Sequence, residues 1–474
     1  MFDSLQTLIQ KAESLGADFV DARYDSLTLK TVIKENGRIT QFKTSKRSGV
    51  GFNVYYQGAT AYAFSADLNI GALEEAILKA LKIAKATAPS VLIKSEIDRK
   101  DPQKVNLTHD LKEPSWLVKM EDKLEYLDRM ETSAKENAEN LSSLILRMGE
   151  LTGEKYFSNS EGTEIHWIPY LFDIGCTVIS KFNGDLMTAS DGRGGSVGLE
   201  AYKQEGITPE DFGKNAALWA KEKGKAKYAP AGEFRALIGN ILGGVLAHES
   251  FGHLTEGDLL LTKASPLHDK LNQKLGSDNV SIIDEGVLSR SDLVFPCYLP
   301  YDDQGIKTTK TILMKEGIYK GFLNSRTTAK ALGGELTGNS RAVDFTFAPI
   351  PRMKNTYFGS GDLNNEDEAL KELKRGIYAI DTAGGQVEAS GDFLFNAGRA
   401  YWVENGEIQY PLRDVSLVGN ILDFITRIES ATKEIKILAP FFGGCGKSGQ
   451  SPLNVGLGGP KLVVDKVRFG GESN

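Results

Sequence analysis

The sequence predicts an α+β fold. In the N-terminal domain helices cover one face of an antiparallel sheet, and the C-terminal domain is mainly antiparallel β around one apolar helix. Three observations predict it. Apolar and polar side chains alternate through much of the first half, the pattern of half-buried strands. A few stretches instead space their apolar residues three and four apart, as amphipathic helices do. Glycine, at 50 of 474 residues, is about half again its average share and implies many turns. A chain of this length exceeds one ordinary hydrophobic core. Two domains are therefore expected, residues 1–230 and 231–474, divided at Tyr228-Ala229-Pro230-Ala231-Gly232.

Met1 to Leu15 reads as an amphipathic helix containing Asp3, Lys11 and Glu13, without the basic start and apolar centre of a signal peptide. Strands are expected from Ala17 to Thr60, through Phe19, Val20, Ala22 and Tyr24, then Leu27 to Ile33. Gly49–Tyr56 and Ala59–Phe64 continue them, with Gln57-Gly58 as the hairpin turn between. Gly71 to Ala86 is a helix with Leu73, Ala76, Ile77, Ala80, Leu81 and Ala84 on one stripe. Pro114 opens a second helix running to about Ala138, with Trp116, Leu117, Met120, Leu124, Leu127 and Met130 as its apolar face. Strands resume from Leu141 to Ile179, broken by a turn at Ser158–Gly162, and a third helix covers Pro209 to Lys223. The apolar run Ala236 to Ala247 is expected to be helical. Beyond Ser281 the pattern is short strands and turns, with one helix near Asp367–Arg375 and a tight hairpin at Glu404-Asn405-Gly406-Glu407.

Composition excludes several classes. With 41% hydrophobic and 25% charged residues the chain reads as soluble and globular. Fifty-six basic against 63 acidic residues leave a net charge of -7, which gives no support to a nucleic-acid footprint. No window approaches eighteen uncharged apolar residues, so no membrane span is expected. Cys176, Cys297 and Cys445 are too few and too scattered for a disulfide framework, which points to a reducing, cytoplasmic setting.

The apolar run Ala236–Ala247 leads into His248-Glu249-Ser250-Phe251-Gly252-His253. Two imidazoles and a carboxylate are what a zinc hydrolase needs: neutral nitrogen ligands, and a group that takes a proton from water. The histidines are five residues apart, one more than in the common H-E-x-x-H motif. In a regular helix that spacing leaves them about 140° off a common face. They converge only if the helix widens to an i→i+5 turn or ends between them. Gly252 makes either distortion cheap.

A catalytic zinc takes three protein ligands, and spacing leaves the third open. Candidates are Glu256, Asp258, His268 and a distant cysteine. Cys176, in the apolar strand Phe172–Ile179, and Cys297, between Pro296 and Tyr298, read as structural thiols. Cys445 differs, because it lies in the glycine-rich stretch Gly443-Gly444-Cys445-Gly446-Lys447-Ser448-Gly449-Gln450, where Lys447 is expected to favour its thiolate.

The segment Gly243 to Asp258 resembles the metal-site segment of the TldD/PmbA family, metalloproteases also described as modulators of DNA gyrase. The likeness continues through Tyr301-Asp302-Asp303-Gln304-Gly305, Gly338-Asn339-Ser340-Arg341 and Pro351-Arg352-Met353-Lys354-Asn355-Thr356-Tyr357. It extends to Gly376-Ile377-Tyr378, Gly384-Gly385-Gln386-Val387 and Cys445 to Gln450. Ser250, where alanine is common, and Ser451-Pro452-Leu453-Asn454 depart from the family pattern. The resemblance is to the metal-bearing, TldD-like branch. It implies that His248, His253 and Cys445 hold Zn2+, that Glu249 is the catalytic general base, and that the substrates are unfolded or small peptides. It also implies a dimer enclosing the site, either a homodimer or a heterodimer with a PmbA-like paralogue. Two other readings compete: a non-catalytic scaffold or regulatory subunit, and a metal-dependent amidohydrolase acting on a non-peptide substrate.

Overall fold

Three unusually long strands organise the first half of a computed structural model, which describes residues 1–288 and 295–470. After α1 (Phe2–Ser14) come β1 (Phe19–Glu35), β2 (Arg38–Tyr56), β3 (Ala59–Ser65), α2 (Ile70–Thr87), β4 (Lys104–Leu107) and α3 (Met120–Asn137). They are followed by β5 (Leu141–Asn159), β6 (Glu164–Trp167), β7 (Tyr170–Phe182), β8 (Asp185–Gly195) and α4 (Pro209–Gly224). β1 pairs antiparallel with β2 on one side and β5 on the other, aligning Tyr24 with both Val50 and Tyr156. β5 then pairs with β7, and β7 with β8, so one sheet runs through the whole half.

Two helical layers cover that sheet. α1 and α2 bury Leu5, Leu8, Ile9, Leu73 and Ile77 against Val20, Val50 and Phe52. α3 and α4 bury Leu127, Met130, Phe212 and Ala216 against Leu144, Leu146, Phe172 and Ile174.

Three local expectations are corrected. α3 starts at Met120, not at Pro114, because Val118 and Lys119 are extended. Pro114 opens only a single 3₁₀ turn, Ser115–Leu117. Leu117 is consequently 76% exposed instead of lying on the apolar face. The buried Lys123 ammonium fixes that turn, donating to the Ser115 carbonyl at 3.1 Å and to Glu150 at 2.5 Å. β2 begins at Arg38, eleven residues before the expected Gly49, because its polar, largely exposed start is held by pairing along β1. The run Ala236–Ala247 is not one helix. Its start completes β10 (Gly232–Ile238), and the helix begins only with α5 (Asn240–Val245). Neighbouring strands claim those apolar residues: β10 pairs parallel with Gly376–Ala379 and antiparallel with Leu462–Gly470.

β10 and β9 (Lys227–Tyr228) belong to a ten-stranded, mostly antiparallel sheet whose far edge is Thr382–Val387. A second sheet runs through Ile282–Glu285, Asn355–Phe358 and Gly456–Gly459. α5 lies in the core with these strands, its Leu242 and Val245 packed in one cluster with Ile282, Met353, Phe395 and Val464. The approach to the second sheet requires glycine, because a Cβ on Gly244 would fall 2.0 Å from the Gly458 nitrogen. Among the described residues no helix is long and apolar enough to cross a membrane.

Buried charges join the two halves. Lys155 of β5 donates to Asp303 at 2.7 Å, and Arg23 of β1 donates to the Asp344 carbonyl at 2.6 Å. Arg326 grips both oxygens of Glu161 at 3.0 and 2.9 Å. Asp21 sits beside this junction, facing Arg326, Glu161, Asp302 and Arg23, with neither oxygen hydrogen-bonded among the described residues. Burial pushes its carboxyl up to about 8, against the pull of Arg326. The unfolded carboxyl ionises near 3.8. Between those values the folded chain therefore holds one proton more than the unfolded chain. This group's contribution falls as pH rises from about 4 to about 8. Asp21→Asn removes the titration and should gain stability relative to wild type across that window. Urea midpoints at the two ends check this, and a pH-independent difference would contradict the assignment.

Candidate metal centre

Directly after α5 the helix widens. Leu246–Gly252 forms an i→i+5 turn in which the His253 N–H donates to the His248 carbonyl. The extra residue between the histidines is thereby absorbed, and the two rings stand 5.5 Å apart at 82°. Glycine at 252 makes room for Met353, since a Cβ there would lie 2.1 Å from Met353 Sδ and force that side chain to shift.

Cys445 arrives from 192 residues away, on the short strand Cys445–Lys447, which pairs with Gln450–Leu453. Its Sγ lies 3.3 Å from His253 Nε2. One nitrogen of each histidine and the Cys445 sulfur all lie within 4.8 Å of one another, and this is the one such group of three among the described residues. His248 is fully buried, and among the described residues neither of its ring nitrogens has a partner in hydrogen-bond geometry. Leaving such groups unsatisfied costs a few kcal/mol. Glu249 is partly exposed, with Oε2 3.7 Å from His253 Nε2.

The surrounding charges alternate in sign. Burial pushes the Cys445 thiol up, but the His248 and His253 imidazoles outweigh it and bring the thiol down to about 5. Burial also opposes charge on His253, yet Glu256 and Cys445 raise it well above the ordinary imidazole range. Glu256, fully buried, accepts from His253 Nδ1 at 2.9 Å. Despite its burial it is held below the usual carboxylate range by His253 and Lys447. Lys447 Nζ in turn sits 3.0 Å from Glu256 and 2.7 Å from Asp258.

Sequence reasoning is corrected at two points here. Lys447 spends its charge on Glu256 and Asp258, so the histidines, not the lysine, favour the Cys445 thiolate. Glu256 and Asp258, weighed as third donors, stand behind the cluster instead, Glu256 orienting His253. The i,i+3 spacing of His253 and Glu256 was the available signal for that contact. His268 lies apart from the cluster, beside Asp269. Burial pushes Cys176 and Cys297 both up to about 12, as suits inert thiols.

Gly252→Ala should cost about 1–3 kcal/mol through overpacking against Met353, read by urea or thermal unfolding. A variant as stable as wild type would show that the turn has room.

The chain matches the PmbA/TldA metallopeptidase C-terminal domain over residues 231–471, the central domain over 113–222 and domain 1 over 20–84. It is 33% identical over 454 residues to a metalloprotease of Methanocaldococcus jannaschii, covering 95% of this chain and 96% of that one. A zinc metalloprotease TldD homolog of Saccharolobus solfataricus is 26% identical, with 98% and 99% covered. The crystal structure of TldE from Thermococcus kodakarensis shares the fold at a TM-score of 0.78 and 16% identity, covering 98% and 99%. From its first strand to its last, the chain belongs to the PmbA/TldD family of metallopeptidases.

Proposed function

We propose that the chain is a zinc-dependent peptidase acting on unfolded or small peptides, with the metal held by His248, His253 and Cys445. One observation carries this reading. A fully buried histidine, neither nitrogen in hydrogen-bond geometry among the described residues, faces a second imidazole and a thiol that its neighbours keep ionised. Two nitrogens and one sulfur suit zinc in both softness and number, leaving a fourth position open. The zinc metalloprotease name of the Saccharolobus relative supports the same metal.

A zinc ion held by His248, His253 and Cys445 would supply Lewis acidity toward a peptide carbonyl and make water a better nucleophile. The chain's own residues do the rest. Glu249, with Oε2 beside the His253 ring, takes a proton from the attacking water and returns it to the leaving amine. Glu256 accepts from His253 Nδ1, fixing the ring and its tautomer so that Nε2 faces Cys445. Lys447 keeps Glu256 ionised for that task.

The proposed substrate is an extended chain. Thr382–Val387, which includes the exposed Gly384-Gly385-Gln386 stretch, is an edge strand. Its free backbone groups can pair with a peptide. The proposed division puts the metal centre in residues 231–474 and leaves 1–230 as a separate α+β domain. The proposed partner is a second chain of the same fold, its own copy or a PmbA-like paralogue. A reducing cytoplasm suits the free Cys176, Cys297 and Cys445.

Glu249→Gln should keep stoichiometric zinc by metal analysis while cleavage of a flexible peptide falls about 10²–10⁴-fold. Carefully prepared wild-type protein without zinc would sink the reading. Glu256→Ala should weaken zinc binding about 10–100-fold in competition with a chromogenic chelator. Unchanged affinity would remove its orienting role.

A further inference from the structure

The strand that carries Cys445 has little of its own to hold it. Cys445–Lys447 and Gln450–Leu453 form a two-stranded unit separate from the large sheets, with an irregular register. Such a pair is marginal in isolation. Its anchor is Arg352, one of the largest fully buried side chains. Arg352 donates Nη2 to the Cys445 carbonyl at 2.8 Å and Nη1 to the Gln450 carbonyl at 3.4 Å. One planar fork thus bridges the first residues of both strands. Arg341, also buried, holds the chain just past Leu453, the residue paired with Cys445, donating to the Met353 carbonyl at 2.5 Å and the Asn454 carbonyl at 2.8 Å.

Among the described residues neither guanidinium has a carboxylate at ion-pair distance. Burying such a charge costs several kcal/mol, so it persists where its hydrogen bonds are strong and fixed. The adjoining residues touch the other half of the site. The Met353 sulfur packs on Gly252, inside the turn between the histidines. The Pro351 carbonyl accepts from Lys447 at 3.1 Å.

We propose that Arg352 is a positioning residue of the metal centre. It locks the Cys445 backbone while Met353 props the histidine turn, so one three-residue segment sets the thiol-to-imidazole spacing. This inference rests on the metal reading above. It assigns a task to Pro351-Arg352-Met353 that neither burial nor fold stability requires.

The test measures zinc affinity by chelator competition, together with the near-ultraviolet thiolate-to-cobalt band of Co2+-loaded protein. Cys445→Ser identifies the band. Arg352→Met should lose about 10–100-fold in zinc affinity and most of the thiolate band, while visible absorption from histidine-bound cobalt remains. Arg352→Lys should fall between, because an ammonium reaches the Cys445 carbonyl but cannot bridge both strands. A merely structural role would lower the unfolding midpoint and leave the band of the folded protein unchanged, which overturns the proposal. If Arg352→Met does not fold by circular dichroism, Arg352→Lys decides. Wild-type affinity and band there overturn the inference, and a parallel loss of both supports it. A wild-type protein with no thiolate band overturns the metal reading and this inference together. A wild-type band that both variants retain overturns this inference alone.

Discussion

One hydrogen bond, from the His253 N–H to the His248 carbonyl, is the constraint on which the rest of the site depends. A regular helix would aim the two imidazoles about 140° apart. The widened turn brings them within reach of one another, and such turns are rare because their packing and hydrogen bonding are inferior. The turn is stabilised from outside. α5 is clamped against the second sheet at Gly244, Met353 fills the space at Gly252, and Leu246, Ala247 and Phe251 are completely buried. The geometry of the donors therefore belongs to the core of the second half, not to a surface loop.

Around that turn the charges form a graded sequence. The thiol loses its proton because two imidazoles lie beside it, His253 is steered by Glu256, and Glu256 is balanced by Lys447. Each member is buried or nearly so, where opposite charges interact strongly and unpaired ones are costly. His248 is the exception, since among the described residues neither ring nitrogen meets hydrogen-bond geometry, and it interacts with the Cys445 thiol and the His253 ring. A polar side chain retained under that penalty has a reason outside the packing, and the metal proposed above for these two nitrogens and one sulfur would supply it. Glu249, partly exposed beside these donors, is the carboxylate with access to solvent.

How much was legible depended on whether a signal was local. Helices with a clean apolar stripe, such as Ile70–Thr87 and Pro209–Gly224, were found nearly to the residue. The need for a distorted turn at His248–His253 followed from spacing alone. What failed was decided by partners distant in sequence. The polar start of β2 is a strand because β1 lies along it, and β8, rich in glycine and charge, carries no strand pattern of its own. The apolar run at Ala236 splits into strand and helix because two remote strands flank its beginning. Cys445 could be singled out by its glycine-rich surroundings, but its meeting with His253 is a tertiary fact. The proposed clamp on its backbone comes from Arg352, which the sequence marks only as part of a segment resembling the family, with no sign of a contact to Cys445.

The ten-stranded sheet carries a consequence for the order of assembly. β10, which leads directly into the histidine turn, is flanked by Gly376–Ala379 on one side and Leu462–Gly470 on the other. The latter strand also pairs with Ser416–Asn420 and Ile428–Ala431, so a late segment of the chain lies in the interior of the sheet. Pairings of such long sequence separation form slowly and late. The first-half sheet, by contrast, draws all its strands from the first half, with Phe295 and Leu438 of the second half completing its core. The strand that delivers the histidine turn is thus enclosed by segments about 140 and 230 residues further along, and the centre takes its final geometry late in folding.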